Sequence, residues 1–389
     1  MKPLAVHAEQ LPLALYVHIP WCERKCPYCD FNSHENFEPS LEAPYIAALL
    51  EDLALQNHWS SGRQLCSIFI GGGTPSLFSP RSIATLLDGI DAQFGLTDDI
   101  EITLESNPSS AEAKHYRGYR SAGVNRLSIG VQSFNDHQLS TLGRVHNAAQ
   151  ARAACTMAAS QFERFNIDLM HGLPEQTTQA ALADITEGID RCGDHLSWYQ
   201  LTIEPNTLFW SRPPIIPVDD TLADIQDAGE QALIGAGFEQ YEVSAWSRPQ
   251  QASQHNLNYW QFGDYLGIGA GAHGKITTSA GSIIRTQRTR QPSDYLSAIR
   301  RKSQPSTNDI KPEHLSGEFM LNALRLKAGI DTQLMAARTG LTSAQLAPAL
   351  EQLITKGLIM PNPEQHLRTT TQGFRFLNDV LGVFLADED

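Results

Sequence analysis

The sequence predicts an α/β fold: an open, partial TIM-like barrel of about six βα units, written (β/α)6, and a C-terminal α-rich, winged-helix-like domain. β-like runs alternate with helical stretches over the first two thirds of the chain, which is typical of a parallel sheet with right-handed crossovers. Several of these runs are rich in Ile, Val, Leu and Phe, as expected for strands buried on both faces. From about Lys311 the pattern changes to helices only.

The barrel units follow one another along the chain. Strands are predicted at 13–20, 67–71, 100–105, 126–132, 165–170 and 197–202. Helices are predicted at 44–59, 80–94, 111–121, 148–160 and 178–191, and a further helix at 221–236 and strand at 240–244 extend the layout. Because parallel barrels build their sites at the carboxyl ends of the strands, polar residues that follow the strands are expected to meet at one rim.

The chain divides into four predicted parts. These are an N-terminal extension (1–12), the barrel (13–245), an extension and linker (246–310) and the C-terminal domain (311–389). The polar segment 285–309 contains Pro292 and Pro305 and is interpreted as a linker or wrapping segment. Helices at 316–326, 331–339 and 343–356, a β-wing at 357–371 and a closing helix at 372–385 give the winged-helix outline.

The acidity of the chain limits its partners. The 389 residues carry a formal net charge of −14, which repels phosphate backbones and speaks against nucleic acid. The winged-helix outline is therefore interpreted as an accessory or interaction domain. The N-terminus has no apolar signal core, and no window approaches the ~20 apolar residues of a membrane span, so a cytoplasmic location is expected.

Three of the six cysteines lie close together in a C-x3-C-x2-C spacing, at Cys22, Cys26 and Cys29. Clustered cysteines in a reducing compartment indicate metal ligands, and soft thiolates suit iron–sulfur clusters. Three thiolates can hold three irons of a [4Fe–4S] cube and leave the fourth iron open. S-adenosylmethionine (SAM) can chelate that iron, and an electron from the cluster then releases a 5′-deoxyadenosyl radical. The alternative is a zinc site, which would need a fourth ligand such as His18 or His34.

Residues 16–22 (YVHIPWC), together with the cysteine spacing, resemble the radical SAM family. More narrowly, the chain resembles the branch that contains oxygen-independent coproporphyrinogen III oxidase and the HemW haem chaperones, and this resemblance runs along nearly the whole chain. It implies the radical SAM barrel, the [4Fe–4S] cluster and SAM as cofactors.

The resemblance also implies a set of SAM contacts, each in a segment that matches a family motif. A glycine-rich segment, 71–75 (GGGTP), follows the second strand, where absent side chains let a backbone approach a ligand. For any single residue, a plain turn, a capped strand end or a surface salt bridge is an alternative interpretation. The implied contacts are Tyr16, Tyr28, Gly72, Gly73, Thr74, Glu105, Gln132, Arg144 and Asp168.

Two features distinguish the branches. The oxidase branch has a further cysteine two residues after the third, and here Phe31 occupies that place. Residues 255–260 (HNLNYW) resemble the H-N-x-x-Y-W motif of HemW proteins, which implies haem contacts at His255, Tyr259 and Trp260. A neutral imidazole suits haem iron, and aromatic rings can pack on a porphyrin. The alternative is a hydrogen-bonded structural corner.

These observations favour a haem chaperone that binds haem and transfers it to apo-haemoproteins such as respiratory enzymes. The alternative is the oxidase, which decarboxylates coproporphyrinogen III by radical chemistry; whether the chain is an enzyme stays open at this point. Clients on the inner membrane would require transient membrane proximity, and the family suggests a homodimer.

Overall fold

The computed structural model describes residues 6–385, so residues 1–5 of the predicted N-terminal extension and residues 386–389 of the C-terminal domain lie outside the described residues. A mixed sheet of twelve strands forms the centre of the molecule. Its strands are β1 Leu13–Ile19, β2 Leu65–Gly72, β3 Leu96–Ser106, β4 Arg126–Gln132, β5 Arg164–His171, β6 His195–Gln200, β7 Glu239–Glu242, β8 Ala245–Ser247, β9 Asp264–Ile268, β10 His273–Thr277, β11 Ile283–Gln287 and β12 Ser306–Asp309.

The order of the strands in the sheet agrees with the predicted open barrel. Strands β1 to β6 lie side by side in sequence order and all pair in parallel, so the predicted α/β fold with six βα units is confirmed. β9 adds a seventh parallel strand beside β1, and antiparallel strands β10, β11 and β12 continue the sheet on that side. On the other side, β8 pairs antiparallel with β6, and β7 pairs antiparallel with β8.

The helices begin and end where local chemistry favours it. Helix 80–94, for example, starts with Pro80 after the capping residue Ser79 and ends at Gly95, whose φ is +68°. The helices are α1 Glu42–Gln56, α2 Pro80–Phe94, α3 Ser110–Ala113, α4 Tyr116–Ser121, α5 Asp136–Thr141, α6 Ala148–Gln161, α7 Thr178–Arg191, α8 Leu208–Ser211, α9 Asp219–Gly235, α10 Gln254–Trp260, α11 Pro292–Arg300, α12 Leu315–Ala323, α13 Thr332–Thr339, α14 Ser343–Thr355, α15 Thr371–Arg375 and α16 Leu377–Gly382. None of the helices between residues 6 and 385 combines the length and apolar character needed to span a bilayer.

The segment 285–309 differs from its prediction. It was predicted as a linker or wrapping segment, and it contains most of β11, the helix α11 and the edge strand β12. β12 is exposed along its whole length and gains its pairing only from β11, so no hydrophobic pattern marked it.

The C-terminal helices share a second hydrophobic core, separate from the barrel core. This core also takes in Phe262 and Ile283 from the predicted extension, which ties the two parts together. β14 His366–Leu367 lies within the predicted β-wing at 357–371 and pairs antiparallel with β13 Ile330–Asp331, which lies outside that range. The predicted closing helix is divided into α15 and α16 at Phe376, whose ψ of 44° interrupts the helical path.

Candidate functional site

A cavity of about 530 Å³ opens at the carboxyl ends of the parallel strands. It brings together residues from β2 to β6 and from the loop after β1, as the barrel geometry predicts. Most of the sequence-predicted site residues line it: Cys22, Cys26, Cys29, Tyr28, Gly72, Gly73, Thr74, Glu105, Gln132, Arg144 and Asp168.

The three thiols lie on the loop that follows β1. The backbone N–H of Cys22 donates to the carbonyl of His34 at 2.9 Å, and that of Cys29 donates to the carbonyl of Cys26 at 3.1 Å, so the loop is folded back on itself. Burial raises the pKa of the Cys22 thiol to about 11, although the hydroxyl of Thr74 donates to its sulfur at 3.5 Å. Because metal binding requires the thiolate, a bound cation would release the proton of Cys22.

The glycine-rich segment 71–75 packs directly against this loop. The N–H of Gly73 donates to the carbonyl of Ile19 at 2.8 Å, and that of Thr74 donates to the carbonyl of Trp21 at 2.7 Å. A Cβ on Gly73 would lie 2.4 Å from the oxygen of Trp21, so a side chain there would push the two segments apart. The glycine thus holds the hydroxyl of Thr74 against the first cysteine.

Arg144 connects the thiols to the strand ends. Its Nη1 donates to the sulfur of Cys26 at 3.4 Å, while its Nη2 donates to the carbonyl of Gly130 at 2.8 Å and to the side-chain oxygen of Asn107. Asn107 in turn donates to the hydroxyl of Thr74 at 2.9 Å. This chain of hydrogen bonds places a positive charge and two neutral donors around the cysteine loop.

Two carboxyl groups, on Glu105 and Asp168, line the same cavity. Burial and, to a smaller extent, the neighbouring charge of Asp168 raise the pKa of Glu105 to about 8, although the N–H of Gly72 donates to its carboxylate at 3.1 Å. Burial also raises the pKa of Asp168, although Asn166 and Ser128 donate to its oxygens at 2.7 and 3.1 Å. Two crowded carboxyls favour a cationic ligand, because a positive charge would relieve both.

Gln132 ends β4 with a φ of +68°, an uncommon conformation for a residue other than glycine. Its side-chain oxygen accepts a hydrogen bond from the hydroxyl of Tyr199 at 2.8 Å. Strained backbone at a strand end is a frequent feature of ligand sites.

The donor set fits an iron–sulfur cluster. Within residues 6–385 no group of three or more His, Cys, Asp or Glu side chains is arranged to hold one metal ion. In a four-iron cube each thiolate binds a different iron, so the three thiols need not converge on one point. The hydrogen bonds from Thr74 and Arg144 to two of the sulfurs are of the kind that stabilise cluster ligands.

Four predicted residues do not line the cavity. Tyr16 lies beneath the cavity. Nε2 of the His18 ring donates to the carbonyl of Asn32 at 2.8 Å, so Nδ1 of that ring accepts a hydrogen bond from the hydroxyl of Tyr16 at 3.0 Å. Trp260 packs against the second core with the Arg325 guanidinium 4.3 Å from the centre of its ring.

His255 and Tyr259, the other two, form a closed network inside the barrel. The His255 ring is only 1% exposed; its Nδ1 is hydrogen-bonded to the hydroxyl of Ser67 and its Nε2 to that of Tyr259, both at 2.9 Å. Its backbone N–H donates to Glu101, which also accepts from Arg164 at 2.9 Å. In this arrangement the imidazole offers no nitrogen to an iron, and the alternative of a structural corner describes the observed contacts.

Sequence reasoning missed several cavity residues. Asn107, Ser128 and Tyr199 each bond a predicted residue, yet none was selected. Tyr199 and Ser128 could have been found from strand alternation, because they lie on the same faces of β6 and β4 as other inward polar residues. Asn256 also lines the cavity, directly beside the buried His255.

Comparison with known proteins gives a consistent family pattern. The model of the radical SAM superfamily matches residues 16–185, and that of the HemN C-terminal domain matches residues 310–376. A protein named heme chaperone HemW from Escherichia coli K12 is 47% identical over 97% of this chain and 99% of its own length. A protein of the same name from Haemophilus influenzae is 48% identical, with 97% and 99% covered.

Among solved structures, the coproporphyrinogen III oxidase HemN of Escherichia coli has a TM-score of 0.82 with this chain. It covers 97% of this chain and 91% of its own at 22% sequence identity. At that identity the likeness concerns the fold, and it confirms the predicted radical SAM architecture.

Proposed function

Because the chain belongs to the family of HemW heme chaperones, within the radical SAM superfamily, we propose that it binds haem and delivers it to apo-haemoproteins. The observation that carries this proposal is the identity of 47% that extends over 97% of the chain. Similarity of that extent includes both the barrel and the C-terminal domain.

The oxidase alternative has less support. The similarity to HemN concerns the fold alone, and Phe31 stands at the cavity with 59% of its surface exposed, where the oxidase branch has a further cysteine. No thiol is therefore available at that point of the cavity.

Cys22, Cys26 and Cys29 are proposed to hold a [4Fe–4S] cluster. In support, the three thiols share one loop, and donors from Thr74 and Arg144 reach two of the sulfurs. When bound, the cluster and SAM together supply reductive cleavage of a sulfur–carbon bond.

SAM is proposed to occupy the cavity beside the thiols. Glu105 and Asp168 provide negative charge for its cationic groups, and Arg144 provides a guanidinium for its carboxylate. Gly72, Gly73 and Thr74 form one wall, Gln132 another, and Tyr28 packs beside Phe209 with the ring centres 6.4 Å apart. Tyr16 would act from below the cavity, through His18.

The haem contacts implied for His255, Tyr259 and Trp260 would require α10 to leave the barrel interior. In the described arrangement these side chains hold the barrel and the C-terminal core together.

The location and assembly of the protein are also proposals. We place it in the cytoplasm, in transient contact with the inner membrane where its clients are bound there; all six cysteines are free, which fits a reducing compartment. A homodimer and an accessory role for the domain at 311–389 follow from the family likeness. Sedimentation velocity at several concentrations tests the dimer.

The deciding experiment is haem transfer. The protein is reconstituted anaerobically with iron and sulfide, titrated with haem and mixed with apomyoglobin, and transfer is followed by absorbance. We expect saturable binding and transfer; absence of saturable binding would remove the proposal. In parallel, protoporphyrinogen formed from coproporphyrinogen III, SAM and reductant would favour the oxidase.

A further inference from the structure

The cavity beside the cysteine loop has the volume of a site for one ligand of ordinary size. A drug-sized ligand occupies a pocket of roughly 300–1,000 Å³. A cavity of about 530 Å³ therefore takes one such molecule beside the cysteine loop, and we have assigned that molecule as SAM. Haem must then lie on another surface, and His255 on α10 has both ring nitrogens hydrogen-bonded within the barrel.

One segment concentrates exposed apolar surface. Thirteen large apolar side chains are exposed among residues 6–385, and five of them fall between residues 208 and 218, whereas the others are spread over the chain. We call these five the rim strip: Leu208 at 55%, Trp210 at 57%, Ile215 at 76%, Ile216 at 38% and Val218 at 71% exposed. Exposed apolar side chains concentrated in one short segment indicate a binding surface more strongly than scattered single residues do.

The rim strip is fixed at the mouth of the cavity. The N–H of Phe209, inside the strip, donates to the carbonyl of Pro27 at 2.9 Å, and Pro27 lies between two of the cysteine-loop residues that line the cavity. Phe209 itself is buried in a small hydrophobic cluster with Leu201, which also lines the cavity. The first part of the strip, around Phe209, is therefore held beside the cysteine loop and the cavity.

The chemistry of the strip matches an iron porphyrin. The macrocycle is flat and apolar, and Trp210 and Ile215 offer an aromatic and a branched aliphatic surface for it. Haem also carries two carboxylates, and the exposed Arg212 lies within the strip, in a chain whose net charge is −14. Asp219 and Asp220 follow the strip, so the carboxylates would face the Arg212 end.

We infer that the rim strip is the surface on which the porphyrin rests, with Arg212 paired to a propionate. This inference rests on the proposed chaperone function. A cargo held at an exposed rim is open to an acceptor protein, which suits transfer better than a closed pocket does.

The test is a titration of the full-length, cluster-reconstituted protein with haem and with metal-free protoporphyrin. For Trp210→Ser combined with Ile215→Ser, we expect the dissociation constant to rise by about ten-fold or more for both ligands, because the strip contacts the macrocycle and not the iron. For Arg212→Gln at low salt we expect a rise of about three-fold. The matched control is Ile234→Ser, which is 62% exposed on α9 and lies roughly 24 Å along that helix from the strip.

The possible outcomes distinguish failure of the rim-strip inference from failure of the chaperone proposal. If the unaltered protein binds no haem, the chaperone proposal fails and the inference fails with it. If it binds haem and the double variant binds equally well, the inference is overturned and the chaperone proposal stands. A double variant with unchanged haem affinity that no longer sediments as a dimer, or no longer floats with phosphatidylglycerol vesicles, would reassign the strip to a second copy or to lipid. Retention of the cluster absorbance shows that the variants are folded.

Discussion

The cysteine cavity and the His255 imidazole were both predicted as ligand sites, yet their polar atoms are satisfied to different degrees. In the cavity the thiols are only half-buried, and Glu105 is crowded enough by burial and by Asp168 that its pKa rises to about 8. Inside the barrel the His255 ring is buried, and both of its nitrogens are hydrogen-bonded to side chains of the chain itself.

This difference gives a physical criterion for separating a ligand site from a structural network. A ligand site keeps groups whose electrostatic or hydrogen-bonding needs the chain alone leaves unmet, and it keeps them accessible. A structural network meets those needs internally, since an unpaired buried polar group costs ~1–3 kcal/mol.

The largest effect is expected at the thiols. Changing Cys22, Cys26 or Cys29 singly to Ala should abolish the four-iron absorbance and electron paramagnetic resonance signal, because no other ligand replaces a missing thiolate. The free energy of unfolding of the cluster-free protein should change by less than about 1 kcal/mol, since these half-buried side chains pack little. Cys66→Ala, at a half-buried cysteine on β2, is the control and should keep the signal. An undiminished signal in any of the three variants would show that its thiol is not a ligand.

The interior network should respond in the opposite way. His255→Ala leaves the hydroxyls of Ser67 and Tyr259 without a shared partner and opens a small void, so the free energy of unfolding should fall by about 2–4 kcal/mol. Urea unfolding followed by circular dichroism measures this, with His137→Ala, an exposed histidine, as the control. The comparison breaks if the urea midpoint is unchanged while haem binding is lost, because the motif would then contact haem directly.

Charge in the cavity gives a smaller, pH-dependent effect. With a pKa of about 8, Glu105 is mostly protonated at neutral pH, and a cationic ligand must displace that proton. We therefore expect SAM affinity to rise as the pH increases towards 8, by up to about ten-fold per unit, and to level off above it. Glu105→Gln should flatten this profile and weaken binding at pH 8 by roughly ten-fold, measured by isothermal titration calorimetry.

Glu105 also makes the stability of the ligand-free protein depend on pH. Its pKa is raised from 4.5 to about 8, so the folded state holds the proton more tightly than the unfolded state does. Stability should therefore fall as the pH rises from 4.5 to about 8, and Glu105→Gln should remove that part of the decline. Glu163→Gln, at an exposed carboxylate, is the matched control. Equal pH profiles for Glu105→Gln and the unaltered protein would contradict the assignment.

Much of the barrel could be predicted from the sequence because its signals are local. The strand at 126–132 and the helices at 80–94 and 178–191 have the predicted bounds. The start of each helix is marked in the sequence by a capping residue, Ser79 or Thr177. β3 begins at Leu96 and not at the predicted 100: Leu96 pairs with Leu65 of β2, and the polar residues Thr97, Asp98 and Asp99 that follow it carry no hydrophobic strand pattern.

The candidate site was predictable in part, for a related reason. The cysteine spacing and the polar residues that follow strands can be recognised from the sequence alone. In the structure these residues line one cavity at the rim of the barrel. The position of α10 inside the barrel depends on contacts far away in the sequence, such as Ser67 with His255, which no local pattern reveals. Asn107 was missed because its bonds to Thr74 and Arg144 exist only once three loops meet.

The smallest effect is expected when the hydroxyl of Thr74 is removed. This change tests a single hydrogen bond in the cysteine cavity. Thr74→Val removes a donor 3.5 Å from the sulfur of Cys22 while keeping the shape of the side chain. A donor to a cluster thiolate favours the more negative, reduced cluster, so its loss should lower the reduction potential. A hydrogen bond contributes about 0.5–1.5 kcal/mol, which corresponds to roughly 20–65 mV for one electron. A redox titration followed by electron paramagnetic resonance measures the shift, and Thr74→Ser, which retains the hydroxyl, should restore the original potential. If Ser and Val at this position give the same potential, the shift comes from packing and the hydrogen bond has no part in tuning the cluster.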